Sequence, residues 1–349
     1  MRVFGIILIF ISVTAFSQSG GDNIYDFLNL TTAARYAALG GQQISIPDND
    51  INGVSFNPAL LTNETDRQLA INFIDYFMDV KYATVYFAKN INEKSNLALG
   101  LQYVDYGEFT YADESGYRGG KFRANEYALY LSYSRNLLDS SLVVGVNAKP
   151  IFSDLENYTS FGLAFDIGAT YIFKNRLTSA AVVIKNMGME LKPYYHGKTR
   201  ENLPFEIQVG ISQRLRYAPF RLSLLTTHWE DWSLTYKTDE DIKGNIDPVT
   251  GEPKSETALN KFGDNLLSHM IFGLEFIPSE TFIISAGYNF KRRAELGIED
   301  RMGMVGMSVG ASLNLRKLSI SYAHSVYHVA GGSNNFSLRL NLGEFGKKL

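Results

Sequence analysis

Residues 161–171 run Phe161-Gly162-Leu163-Ala164-Phe165-Asp166-Ile167-Gly168-Ala169-Thr170-Tyr171. Odd positions are apolar and mostly large; even positions are small or polar. Successive side chains of a strand point to opposite faces, so this stretch predicts one strand with two unlike faces. It is also long. A tilted strand needs about 9–11 residues to cross a bilayer, against 5–6 in an ordinary sheet.

The same alternation recurs in both directions along the chain. Tyr127, Leu129, Leu131 and Tyr133 alternate with Ala128, Tyr130 and Ser132; Phe282, Ile284, Ala286 and Tyr288 alternate with Ile283, Ser285 and Gly287. Fourteen segments follow the pattern, near 67–75, 81–90, 95–108, 124–136, 140–153, 158–173, 177–187, 203–214, 219–230, 267–277, 281–292, 302–315, 317–326 and 335–344. Connections after even-numbered segments are short, such as Leu137–Asp139 and Lys174–Arg176. Those after most odd-numbered ones are longer: 109–123, 188–202, 231–266, 293–301 and 327–334. A β-sandwich has no reason to sort its loops by parity, whereas an outer-membrane barrel has short periplasmic turns and longer external loops. Backbone groups in hydrocarbon must all be paired, so a membrane-crossing sheet must close. The expected fold is therefore all-β, a 14-stranded antiparallel transmembrane barrel over 67–349 with a long external loop at 231–266. Aromatics gather near segment ends, as at Tyr171 and Phe173 or Trp229 and Trp232, which suits the headgroup level. One departure is the end of the chain, Phe345-Gly346-Lys347-Lys348-Leu349, which lacks the terminal aromatic of many such barrels.

Composition narrows the functions. The 349 residues include 23 Phe, 21 Tyr and 30 Gly but no Cys, and the net charge is −3. Without Cys there is no disulfide scaffold, thiolate metal site or Cys nucleophile. The near-neutral balance offers no footprint for nucleic acid. Mean hydropathy of −0.10 excludes a bundle of membrane helices. Residues 1–17 form an address: Val3–Phe16 is an apolar run, and Ala15-Phe16-Ser17 suits cleavage before Gln18, predicting a signal peptide and export.

Residues 18–66 do not alternate. A helical turn is expected near Thr31 or Thr32, ended by Gly40-Gly41, and a second at Asn57-Pro58-Ala59, with Pro at a helix start. About 45 mixed apolar and turn residues ahead of a barrel are expected to pack as a hatch in its lumen.

These segments carry a resemblance. Tyr25-Asp26-Phe27-Leu28-Asn29-Leu30, then Ala33-Ala34-Arg35-Tyr36-Ala37-Ala38-Leu39-Gly40-Gly41, and then Phe56-Asn57-Pro58-Ala59-Leu60-Leu61 resemble the opening of the PorV/PorQ family. Leu203-Pro204-Phe205-Glu206-Ile207-Gln208-Val209-Gly210 is similar to a recurring strand opening there, and the compact length is nearer the PorQ branch. Asn57, Pro58 and Ala59 also resemble the hatch motif of the wider FadL-like group of 14-stranded barrels. The PorV/PorQ resemblance implies the outer membrane of Bacteroidota-like bacteria. It implies a non-enzymatic component of the type IX protein secretion system that holds a surface partner of its attachment complex. Partners would be other type IX proteins and outer-membrane lipid. The FadL-like resemblance implies the alternative, a channel for hydrophobic small molecules that uses the hatch as a gate and a lateral opening where a strand kinks.

No catalytic, metal or cofactor motif is present. His324 and His328 are four apart, which aligns side chains on a helix but not on a strand. Asp239, Glu240, Asp241, Asp247 and Glu252 lack the spacing of a calcium loop. The external loop 188–202 mixes Lys192, Tyr194, Tyr195, His196, Lys198 and Arg200 and is the expected partner-binding loop, with 231–266 and 109–123 beside it. Lys149, Asp166, Lys185, Glu206, Glu275 and Arg339 fall on the predicted lumen face. A charge there must be hydrated or paired. They are read as ion pairs to the hatch, for instance to Arg35 or Asp48; the other reading is a solute path.

Overall fold

A computed structural model describes residues 23–76, 80–112, 114–138, 141–195, 200–234, 258–297, 303–328 and 331–345. The expected signal peptide, His196, Lys198 and most of the 231–266 loop lie outside them. The strands are β1 (Gln68–Asp75), β2 (Lys81–Asn92), β3 (Ser95–Ala112), β4 (Arg118–Leu137), β5 (Leu142–Leu155), β6 (Tyr158–Ile172) and β7 (Thr178–Lys192). They continue as β8 (Glu206–Arg214), β9 (Phe220–Thr226), β10 (Met270–Phe276), β11 (Phe282–Asn289), β12 (Met307–Asn314), β13 (Leu318–His328) and β14 (Gly331–Asn341). Each pairs antiparallel with its chain neighbours, and β1 closes on β14 through Gln68↔Asn341 to Asp75↔Asn334. Each of the fourteen predicted segments overlaps one of these strands.

Burial is inverted relative to a water-soluble domain. Leu99 is 61% exposed and Val309 53%, while Asn72, Gln102 and Asn147 are fully buried. Apolar residues turned outward on nearly every strand suit a lipid surround, and polar residues turned inward suit a filled lumen. Among the described residues no helix is long and apolar enough to cross a membrane.

The external ends differ from the sequence-based boundaries. Residues 109–123 are not a free loop. β3 and β4 continue through them as a ribbon, with Phe109 stacked on Phe122. Likewise β7 runs on to Lys192, and β13 and β14 consume most of 327–334. The strand expected over 281–292 stops at Asn289, whose side chain accepts a hydrogen bond from the Arg292 N–H at 2.9 Å and starts a helix. Among the described residues the helices are α1 (Ala34–Ala38), α2 (Ala258–Ser268) and α3 (Phe290–Leu296). Period-two patterning marks where a strand can face lipid. It does not say where the ladder ends beyond the membrane, because pairing above the bilayer needs no apolar face.

Candidate functional site: the hatch and the wall that holds it

Residues 23–66 fill the barrel. They form 3-10 turns at Asp26–Asn29, Ile51–Ser55, Pro58–Leu60 and Asn63–Thr65 around the single turn of α1. The alanine-rich sequence of α1 explains how its backbone reaches the wall. The Ala34 N–H donates to Ser337 Oγ at 2.8 Å, and Ser325 Oγ donates to the Ala37 carbonyl at 3.2 Å. Gly40 and Gly41, at φ of 95° and 111°, then end the helix in a conformation that favours glycine.

The predicted Asn57-Pro58-Ala59 motif is the hatch's second anchor. Asn57 Oδ1 accepts the Ala59 N–H at 2.9 Å, capping the turn that Pro58 begins. Its Nδ2 donates to the Ile44 carbonyl at 2.7 Å and to Thr170 Oγ1 of β6 at 2.8 Å. One buried side chain thus ties three segments together. Elsewhere, inward polar residues of the wall satisfy hatch carbonyls: Gln102 reaches Phe27, Asn147 reaches Val54, and Ser134 reaches Leu61. A hatch of short turns has few internal backbone bonds, so the wall must complete them.

A four-charge cluster makes the third anchor. Arg35 donates to Glu275 of β10 at 2.8 Å and to Asp48 at 2.6 Å. Arg221 of β9 takes Asp48 at 2.5 and 2.9 Å and Glu275 at 2.8 Å. Two guanidiniums and two carboxylates balance, with a bidentate fork on Asp48. Arg339 pairs with Asp50 at 3.2 Å. The expected ion pairs of Glu275 and Arg339 to the hatch are therefore present. The sequence reading does not include Arg221, although its place between Phe220 and Leu222 puts it on the inward face.

Burial alone would raise the Asp48 carboxyl, but the Arg35 and Arg221 guanidiniums outweigh it and hold the group well below the usual carboxylate range. A depressed folded value gives stability that is fully present above the unfolded value of about 3.9 and is lost as pH falls through the folded one. The hatch is thus expected to stay docked at pH 5 and release only well below pH 4, read as ion conductance across a planar bilayer. Release between pH 5 and 6 would refute this role for Asp48.

The remaining lumen charges concentrate where the wall is irregular. In β5, Pro150 supplies no N–H, and the β4–β5 register passes from Ala128↔Ile151 to Leu131↔Ala148 without a pair between. In β7, Asn186 sits at φ 57°, and the β6–β7 register shifts between Phe165 and Ile167. This bulge turns Asn186 inward, where its N–H donates to Asp166 at 2.8 Å. Lys149, fully buried, pairs with the same Asp166 at 2.6 Å. Asn186 Nδ2 also reaches Asn29 of the hatch at 3.1 Å. Lys149 and Asp166 therefore pair within the wall, not with the hatch as expected. Glu206 is buried too, with His228 Nε2 3.7 Å away.

The external loop residues are dispersed. Tyr194 turns in and donates its hydroxyl to Ser153, and burial pushes its phenol up to about 12. Tyr195 lies outside, its ring 4.6 Å from that of Tyr158. Arg200 is exposed, with Nη1 4.0 Å from Met189 Sδ. Among the described residues no group of acidic or histidine side chains is arranged to hold a metal.

No family model matches the chain, and no curated protein is a match. Solved structures do match. The CymD monoaromatic hydrocarbon channel is 11% identical at a TM-score of 0.51, covering 89% of this chain and 97% of its own. The Pseudomonas putida toluene transporter TodX is 9% identical at 0.52, covering 89% and 96%. A Pseudomonas aeruginosa FadL homologue is 13% identical at 0.50, covering 88% and 97%. At such identity the likeness concerns the fold. It supports the FadL-like side of the resemblance and not PorV/PorQ specifically. The chain is a closed, 14-stranded FadL-like β-barrel of the outer membrane.

Proposed function

We propose that this barrel is a channel for hydrophobic small molecules, with no enzymatic step. The carrying observation is the combination of a filled lumen with a wall interrupted beside it. A solute entering from outside meets a hatch anchored to wall residues. It also meets the Pro150 gap and the Asn186 bulge, where the ladder is interrupted, and at Asn186 the hatch residue Asn29 touches the wall. Movement of the hatch past Asn186 would let an apolar solute leave sideways into the bilayer, where it is soluble. The names of the similar barrels, a monoaromatic hydrocarbon channel and a toluene transporter, point to the same chemical class.

The type IX reading makes a different prediction. It rests on the resemblance of the hatch segments and needs an external surface for a protein partner, of which Lys192, Tyr195 and Arg200 are the exposed described members. Uptake of a labelled alkylbenzene and of a labelled fatty acid should be compared in cells with and without the gene, alongside the proteins displayed on their surface. The channel reading expects uptake of at least one compound to fall to background with surface proteins unchanged. Intact uptake of both with loss of surface proteins would overturn it and favour the attachment role.

A further inference from the structure

The lipid-facing wall carries a groove of about 460 Å³ over β8 to β12. Its floor is Ile211, Leu222, Leu274 and Ala286; Phe272 and Tyr288 rise above it. The dent has a simple cause. Ala286 is small and lies in register between Leu274 and Val309, so one large side chain is missing from the outward surface. The floor is rigid, because Gly273 and Gly287 behind it lie against Leu39 and Gly40 of the hatch. Polar Gln213 lines the groove at the end toward the short β8–β9 turn, the periplasmic side.

That turn is basic. Arg214 and Arg216 project from it, and Lys174 and Arg176 from the β6–β7 turn, all four exposed. The two turns touch, since the Arg214 N–H donates to the Leu177 carbonyl at 2.8 Å. Among the described residues none of the four has a carboxylate partner. Glu280 lies on the neighbouring turn between β10 and β11.

We infer that this face holds an anionic glycerophospholipid of the periplasmic leaflet, with its phosphate on the basic turns and an acyl chain in the groove. Charge complementarity selects the headgroup: unpaired Lys and Arg at a membrane surface attract anionic lipid. Shape selects the chain. The wall of a second barrel is convex and would bridge the dent, whereas a flexible chain fills it. Position in the wall sets the leaflet, because the polar end of the groove adjoins periplasmic turns.

The test is native mass spectrometry of the full chain in mild detergent, given equal phosphatidylglycerol and phosphatidylethanolamine. The wild type should retain phosphatidylglycerol preferentially. Arg176→Gln combined with Arg216→Gln should weaken that preference by about 25-fold, about fivefold for each cation. Ala286→Phe, which fills the dent, should reduce retention of both lipids. A heat-dependent gel shift would verify that each variant still closes. Equal retention of the two lipids by the wild type, unchanged retention in a closed Ala286→Phe barrel, or a dimer abolished by that substitution would each overturn the assignment.

Discussion

Glu275→Gln is expected to undock the hatch while leaving the barrel closed. The carboxylate lies between Arg35 and Arg221, 2.8 Å from each, and is 1% exposed. Its loss leaves two guanidiniums sharing Asp48 alone, an uncompensated positive charge in a largely buried site. Breaking a buried pair on one side costs about 3–5 kcal/mol, even where the intact pair adds little net stability. The closing ladders do not depend on that charge, so the heat-dependent gel shift should persist. The hatch should become open to protease, and bilayer conductance should rise. A double variant that also replaces Arg221 by Leu restores neutrality and should recover part of the protection. That recovery separates a charge effect from a packing effect. A fully protected hatch in Glu275→Gln would show that the cluster is not an anchor.

The second large effect is expected from Gly145→Val in β5. A Cβ at Gly145 would lie 2.4 Å from the Pro58 carbonyl carbon, 2.6 Å from its oxygen and 2.7 Å from the Ala59 nitrogen. All three are backbone atoms, so no side chain can swing away. Overpacking a filled interior costs about 1–3 kcal/mol where neighbours can yield, and more where they cannot. The Asn57-Pro58-Ala59 turn should lift, breaking the Asn57 bonds to Ile44 and Thr170. Thermal unfolding should shift down, and conductance should rise as for Glu275→Gln. Gly120→Val on the β3–β4 ribbon is the control, because nothing lies within 4 Å of a Cβ there. Equal stability of the two variants would remove the motif from the anchoring role.

Much of this is legible in the sequence. Strand number and inward charges follow from period-two alternation, since a barrel in lipid must put apolar residues out on nearly every strand. Asn57 was visible as a turn, but not as the residue that joins Ile44 to β6. Its partner Thr170 is 113 positions away. Arg221 passed unnoticed because one charge in a seven-residue strand does not disturb an apolar pattern. Pro150 and Asn186 interrupt one region of the wall only because β6 pairs with both β5 and β7, and the bulge at Asn186 shows only in the register and the backbone.

The sequence by itself determined the closed barrel, its 14 strands, the inward and outward faces and the presence of a separate N-terminal segment. Each of these is set by local patterning against a lipid solvent. The tertiary structure alone decided which charges meet. Arg35, Asp48, Arg221 and Glu275 come from four separate places in the chain, and Lys149 turns to Asp166 instead of the hatch. It also decided the lipid-facing groove, which exists because Ala286 falls between Leu274 and Val309 across strands. Pairings of that kind depend on register and closure, which bring together residues that the order of the chain keeps apart.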